Sequence, residues 1–191
     1  MLGNNIYCIE GDWEDDLRRK TSILSGLEML TSISDIEFIY KTCATKDELF
    51  YRLRDYVANS YKPRSKYKAY DILYLATHGE KGALNFNELI DVMDFFVNNG
   101  DFKAGAFKDK IVHFGSCLTL KMREDDIIKL KTFTQARIIS GYTKSIDFLD
   151  STLFDVLYFN ACSKYKIKNR LQDHLAKRYK GFSNDLGFVM Y

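Results

Sequence analysis

The stretch Asp71-Ile72-Leu73-Tyr74-Leu75-Ala76-Thr77-His78-Gly79 decides how the rest of the chain is read. Its apolar run is short and rich in β-formers, and a His-Gly pair ends it abruptly. That pattern predicts a buried strand of a parallel sheet that delivers a histidine to the sheet edge. In an open α/β sheet the C-terminal strand ends are where ligands bind and chemistry collects. A histidine at a strand end also serves as a hydrogen-bonded structural residue, so His78 gains a catalytic reading only from its company.

Outward from that strand the chain alternates strand and helix. Residues 5–10 read as a first strand, closed by the turn signal Gly11-Asp12. Residues 13–31 follow as an amphipathic helix with Leu17, Leu24, Leu27 and Leu30 at helical spacing, and with Glu14, Asp15 and Asp16 set against its positive dipole end. Residues 36–43 form a second strand. Residues 47–59 form a second helix, with Leu49, Phe50, Leu53 and Val57 on one face and Thr45 as its N-cap. Residues 60–68, basic and tyrosine-bearing and holding the single proline Pro63, read as a solvated loop into the His78 strand.

Beyond Gly79, residues 80–83 read as a turn, 84–86 as a hairpin arm and 88–98 as a helix carried by Leu89, Met93 and Phe96. Strands at 110–114 and 136–140, helices at 123–132 and 147–160, and an apolar terminal segment at 188–191 complete the order. Without internal repeats or low-complexity linkers, this rhythm predicts an α/β domain. Its sheet is mostly parallel and carries helices on both faces.

Composition narrows the partners. The 191 residues suit one domain, and a chain of that size can bury about 70% of its unfolded surface. With 28 basic against 26 acidic residues, a net charge of +2 gives no general reason to expect nucleic acid or an anionic membrane. No apolar run approaches membrane-spanning length and the first nine residues carry no signal-peptide pattern, so a soluble, cytoplasmic protein is expected. Cys8, Cys43, Cys117 and Cys162 lie far apart with no CxxC pairing, which argues against a zinc site or a disulfide framework. No glycine loop of the dinucleotide or Walker type occurs, so no cofactor is expected.

Three of the cysteines read as small buried hydrophobes; only Cys117 has the company of a nucleophile. It follows Gly115-Ser116 at the end of one strand, as His78 ends another, and the two lie 39 positions apart. Right-handed crossovers would bring both to the same sheet edge. A thiol–imidazole pair requires that arrangement, because the thiolate is the nucleophile and a lone thiol is mostly protonated near pH 7. Backbone N–H groups of Gly79 and Cys117 are the natural donors to a tetrahedral oxyanion.

Two segments, Leu73-Tyr74-Leu75-Ala76-Thr77-His78-Gly79 and Ile111-Val112-His113-Phe114-Gly115-Ser116-Cys117, together resemble the His-Gly and terminal-Cys strand motifs of caspase-like cysteine peptidases. The flavour is that of the bacterial CHAT peptidases, with separases and gingipains as more distant relatives. The resemblance runs over about residues 5–160. It implies a three-layer caspase-like fold in a single peptidase domain spanning 1–191. It makes His78 the general base, Cys117 the nucleophile and Gly79 an oxyanion-hole residue, acting on a protein or peptide substrate. Relatives place a specificity loop after the fifth strand, here residues 141–147. Through the resemblance Asp147 is a carboxylate for a basic substrate side chain; the competing reading is that Asp147 or Asp150 caps the following helix. A regulated bacterial effector, switched by an activating protein partner, follows by analogy alone. A catalytically inactive caspase-like binding or scaffold module is the competing reading.

Two further features complete the reading. His113, inside its strand, reads as structural. Residues 164–180 hold seven basic residues against Asp173, with Ile167, Leu171 and Leu175 on one stripe, which predicts a cationic amphipathic covering helix that also holds His174. No Asp- or Arg-rich linker marks an autocleavage site.

Overall fold

The computed structural model of the chain describes residues 4–191 except 15, 17 and 63. Six strands form the central sheet in the order β2-β1-β3-β7-β8-β9. They are β1 (Asn5–Glu10), β2 (Phe38–Thr42), β3 (Tyr70–Ala76), β7 (Ile111–Gly115), β8 (Ile138–Tyr142) and β9 (Phe188–Met190). All neighbours pair in parallel except β9, which runs antiparallel to β8. The terminal apolar segment thus becomes an edge strand. A small antiparallel sheet, β4 (His78–Glu80), β5 (Ala83–Asn85) and β6 (Leu89–Asp91), grows directly from the end of β3.

The alternation of side chains along each strand splits the core into two layers of packing. Leu73, Leu75, Val112, Phe114 and Ile139 point to the face covered by α2 (Lys46–Ser60) and α3 (Glu124–Thr134). Ile72, Tyr74, Ala76, Ile111 and Ile138 point to the other. That second face is covered by α1 (Leu24–Ile33), α4 (Phe148–Lys164), α5 (Lys168–Arg178) and α6 (Lys180–Leu186). The result is a three-layer α/β architecture with a mostly parallel sheet. Cys8, Cys43 and Cys162 are buried in it, as small hydrophobes would be. Thr45 caps α2 by accepting the Glu48 N–H.

Three boundaries differ from expectation. The helix expected over 13–31 begins only at Leu24, because the buried Glu10 carboxylate at the end of β1 gathers the chain first. It accepts the Ser22 hydroxyl at 2.6 Å and the Ile23 N–H at 2.7 Å, so the described residues before Ile23 are held in a loop at that carboxylate. Glu14 and Asp16 pair with Arg19 and Arg18 instead of capping a helix; Asp15 and Leu17 lie outside the described residues, as does Pro63. The helix expected over 88–98 starts as strand β6. The Asp91 carboxylate accepts the Asp94 N–H at 2.8 Å, and a π-helical turn over Asp94–Asn98 follows. The cationic helix of 164–180 is shorter, since Tyr165 is extended at the end of α4 and α5 runs only from Lys168 to Arg178, docking through Leu171 and Leu175.

Among the described residues no helix is long and apolar enough to cross a membrane. Nor do three or more His, Cys, Asp or Glu side chains come together there as metal ligands would.

Candidate active site

Parallel strands place their C-terminal ends on one rim, and the chain leaves β1, β3, β7 and β8 there. His78 follows β3 by two residues and opens β4. Its ring is exposed, and its Nε2 lies 2.7 Å from the Trp13 carbonyl oxygen. A carbonyl only accepts, so Nε2 carries the ring proton in the neutral imidazole and Nδ1 keeps its lone pair. The Trp13 ring packs edge-on against the imidazole at 5.2 Å and against Phe148 at 5.0 Å, which fixes the ring plane.

Trp13 is itself held. Its indole N–H donates to Glu10, which also accepts from Ser22, Ile23 and the Tyr40 hydroxyl. The Gly11 N–H donates to Ala76 O at 2.8 Å, tying this loop to the end of β3. A Cβ at Gly11 would stand 2.4 Å from Thr77 Oγ1, so only glycine permits the approach. Glu10 thus acts on His78 through Trp13, as a positioning residue.

Cys117 leaves β7 on a sharp turn. Leu118 adopts φ 57°, a left-handed conformation costly for a side chain of its shape, and it is braced by Leu118 N–H to Lys144 O at 3.0 Å and Leu120 N–H to Tyr142 O at 3.1 Å. Buried Ser116 and Thr119 bond to each other at 2.7 Å beneath the turn. Gly115 is required for another reason than turning: a Cβ there would meet the Tyr74 ring at 2.4 Å. The half-buried Cys117 sulfur faces the backbone of Ile146, accepting its N–H at 3.4 Å and lying 3.7 Å from its carbonyl.

The two arms touch through Gly79. A Cβ on Gly79 would come within 2.4 Å of Cys117 O, 2.5 Å of Thr119 Oγ1 and 2.9 Å of Ser116 Cβ. The His78-Gly79 backbone therefore lies directly on the Cys117 turn, and the absent side chain is what allows it. Among the described residues the Cys117 N–H has no hydrogen-bond acceptor, leaving it available to a ligand oxygen.

Asp147, exposed, follows Ile146 and caps α4: its Oδ1 accepts the Leu149 N–H at 2.8 Å and the Asp150 N–H at 3.1 Å. A cleft of about 430 Å³ opens beside His78, lined by Asp12, Trp13, Glu14, Asn85 and Asn87. The sequence assigns its two carboxylates to a turn and to the start of an expected helix, not to a site. The turn signal Gly11-Asp12 was the clue to that loop.

His113 is fully buried on the α4 side. Its Nε2 lies 2.8 Å from Asp155 Oδ1 and its Nδ1 2.9 Å from Ser140 Oγ. Tyr74 and Tyr142 donate to the same Asp155 carboxylate. This cluster has no access from solvent and pins α4 to β3, β7 and β8. His174 packs between Tyr165 and Tyr179, on the C-terminal helices.

Comparison with solved structures returns the crystal structure of the Drosophila initiator caspase Dronc, at 12% identity and a TM-score of 0.44, covering 82% of this chain and 63% of that one. This chain thus spans less than two thirds of the length of that protein. Comparison with curated proteins gives no match. Over residues 3–191, nearly its whole length, the chain matches the family described as "Family of unknown function (DUF6642)", and it belongs to that family.

Proposed function

We propose that this chain is a caspase-like cysteine endopeptidase of the CHAT type, with Cys117 as nucleophile and His78 as general base. The observation that carries the reading is the seating of Gly79 on the Cys117 turn, which joins the ends of β3 and β7 at one rim. The His78 tautomer suits the role: Nδ1 takes the proton from the thiol while Nε2–H stays on the Trp13 carbonyl. The thiolate, facing the Ile146 N–H, attacks the peptide carbonyl, and the N–H groups of Gly79 and Cys117 receive the oxyanion. The imidazolium returns its proton to the leaving amine. Water then cleaves the thioester, with the same imidazole as base.

Cleavage after Lys or Arg is part of this proposal. Asp12 and Glu14 line the cleft beside His78, and Asp147 stands one residue beyond the backbone that holds the sulfur. Carboxylates so placed select a cationic side chain. A cytoplasmic bacterial effector, switched on by a protein partner, is the setting in which such an enzyme would act.

One observation favours the inactive binding module instead: the cleft beside His78 is lined without Cys117. Fluorogenic peptides ending in Arg, Lys or Asp, together with a lysine-bearing acyloxymethyl ketone, separate the two. The peptidase reading expects turnover of the Arg and Lys reporters and labelling confined to Cys117, both lost in His78→Ala. Labelling that survives His78→Ala would sink it; a preference for Asp would remove the basic specificity alone.

A further inference from the structure

On the opposite side of the molecule from β9, strand β2 forms the other edge of the sheet, with β1 as its single neighbour. The Ile6 N–H donates to Glu37 O and the Cys43 N–H to Glu10 O, so the backbone at 37 and 43 faces β1. Alternation then turns the N–H and C=O groups of Phe38, Tyr40 and Thr42 outward, to an open edge. The strand, Phe-Ile-Tyr-Lys-Thr, is rich in β-formers and carries one charge and no proline, so little guards it against pairing.

Beside that edge, on the α2 face, lies a pocket of about 260 Å³. Tyr7, Tyr56, Tyr51, Tyr67 and Ile39 make its walls. Tyr7 and Tyr56 stack in parallel at 4.8 Å as the floor. The Tyr56 hydroxyl is spent on Tyr70 O at 2.7 Å. Tyr7 is only 8% exposed, and its hydroxyl, which no other described residue bonds, is still reached by solvent. A cavity walled by tyrosine rings, with unpaired hydroxyls and charged side chains at its mouth, is the composition of a ligand pocket. Its rim is mostly cationic: Lys41 borders it and exposed Lys66 and Lys68 adjoin Tyr67 in the chain, against Asp55, while Arg52 is paired with Glu48.

We propose that this edge and pocket together dock an extended peptide segment of a partner protein, one aromatic residue flanked by acidic residues. The segment adds to β2 as a seventh strand through Phe38, Tyr40 and Thr42. Ile39 and Lys41, the β2 residues on the α2 face, already line the pocket, so an added strand carries its own alternate side chains over the same opening. The aromatic side chain fills the tyrosine pocket and its neighbours meet Lys41, Lys66 and Lys68. Main-chain bonds supply affinity, and the pocket with its charged rim supplies choice. Three cations to one carboxylate at the rim disfavour a quaternary ammonium, which the tyrosines alone would otherwise suit.

Selection from a displayed random dodecapeptide library on the immobilised full chain, followed by calorimetry of the synthesised consensus peptide, tests this. The expected consensus is a single Phe, Tyr or Trp with Asp or Glu on either side. Thr42→Pro blocks an outward N–H without touching the bonds to β1, and Tyr51→Ala removes a pocket wall that is 64% exposed. Each is expected to weaken binding by about tenfold with the thermal midpoint unchanged. A consensus lacking the aromatic or the acids overturns the proposal, as does unchanged affinity in both variants. So does a dimer in sedimentation that Thr42→Pro dissolves, since the edge would then belong to a second copy.

Discussion

At the scale of single residues, the candidate site depends on an atom that is missing. Gly79 lets the His78 backbone rest on Cys117, where a methyl group would overlap Cys117 O and Thr119 Oγ1. Both obstacles are fixed, one as backbone and the other as a fully buried hydroxyl, so the strands must part to admit a side chain. Gly79→Ala is expected to lower stability by about 1–3 kcal/mol in urea titration. It should also slow thiol labelling of Cys117 by more than that loss of folded protein explains. Gly181, with open space around it, is the control: Gly181→Ala leaves both readings unchanged or slightly improves stability. The partners of His78 were less visible in the sequence. A main-chain carbonyl carries no residue signature, and Trp13 reaches the imidazole only because Glu10 shortens the expected helix.

At the scale of elements, Asp147 separates two roles that one side chain can hold at once. As the cap of α4 it satisfies two backbone donors, and asparagine can do the same. Asp147→Ala is expected to cost about 1 kcal/mol of stability, and Asp147→Asn close to nothing. If its charge also selects the substrate, Asp147→Asn slows the Arg and Lys reporters while the urea midpoint stays in place. Equal turnover by Asp147→Asn and wild type would leave the residue a cap and move the selection to Asp12 and Glu14. The strands and their order were legible because apolar alternation and turn residues are local signals. The start of α1 and strand β6 were not, since the buried Glu10 carboxylate and the pairing of β6 with β5 overrode helical spacing.

For the whole molecule, the aromatic core sets the response to alkali. Burial pushes Tyr7 up to about 12, and Tyr40 to about 12 with the Glu10 carboxylate adding to it. Tyr56, Tyr74, Tyr142 and Tyr158 are raised well above the ordinary 10.0, burial being the first cause in each. Above pH 10 the unfolded chain releases these protons while the folded chain keeps them. The folded state then binds more protons, and stability falls as pH rises. Below that value these groups contribute nothing to the pH dependence. Cys43, raised to about 11, and Cys162, raised to about 12, act in the same direction. The urea midpoint is expected to decline gently from about pH 9, where the thiols ionise in the unfolded chain, and more steeply from about pH 10 towards about pH 12, with the tyrosinate absorbance of these buried tyrosines appearing only as the chain unfolds. Absorbance that reaches its full unfolded-state amplitude before any loss of structure would contradict this account of the core.

The sequence by itself determined the alternation of strands and helices, the burial of three cysteines, and the placement of His78 and Cys117 after two strands of one sheet. Those follow from periodicity and chain direction, which are written locally. Only the tertiary structure decided that Gly79 seats on the Cys117 turn, that Trp13 fixes the imidazole, and that four tyrosines from three segments meet beside an open edge. Contacts between residues distant in the chain depend on how side-chain volumes and buried donors are satisfied together, and no local pattern records that.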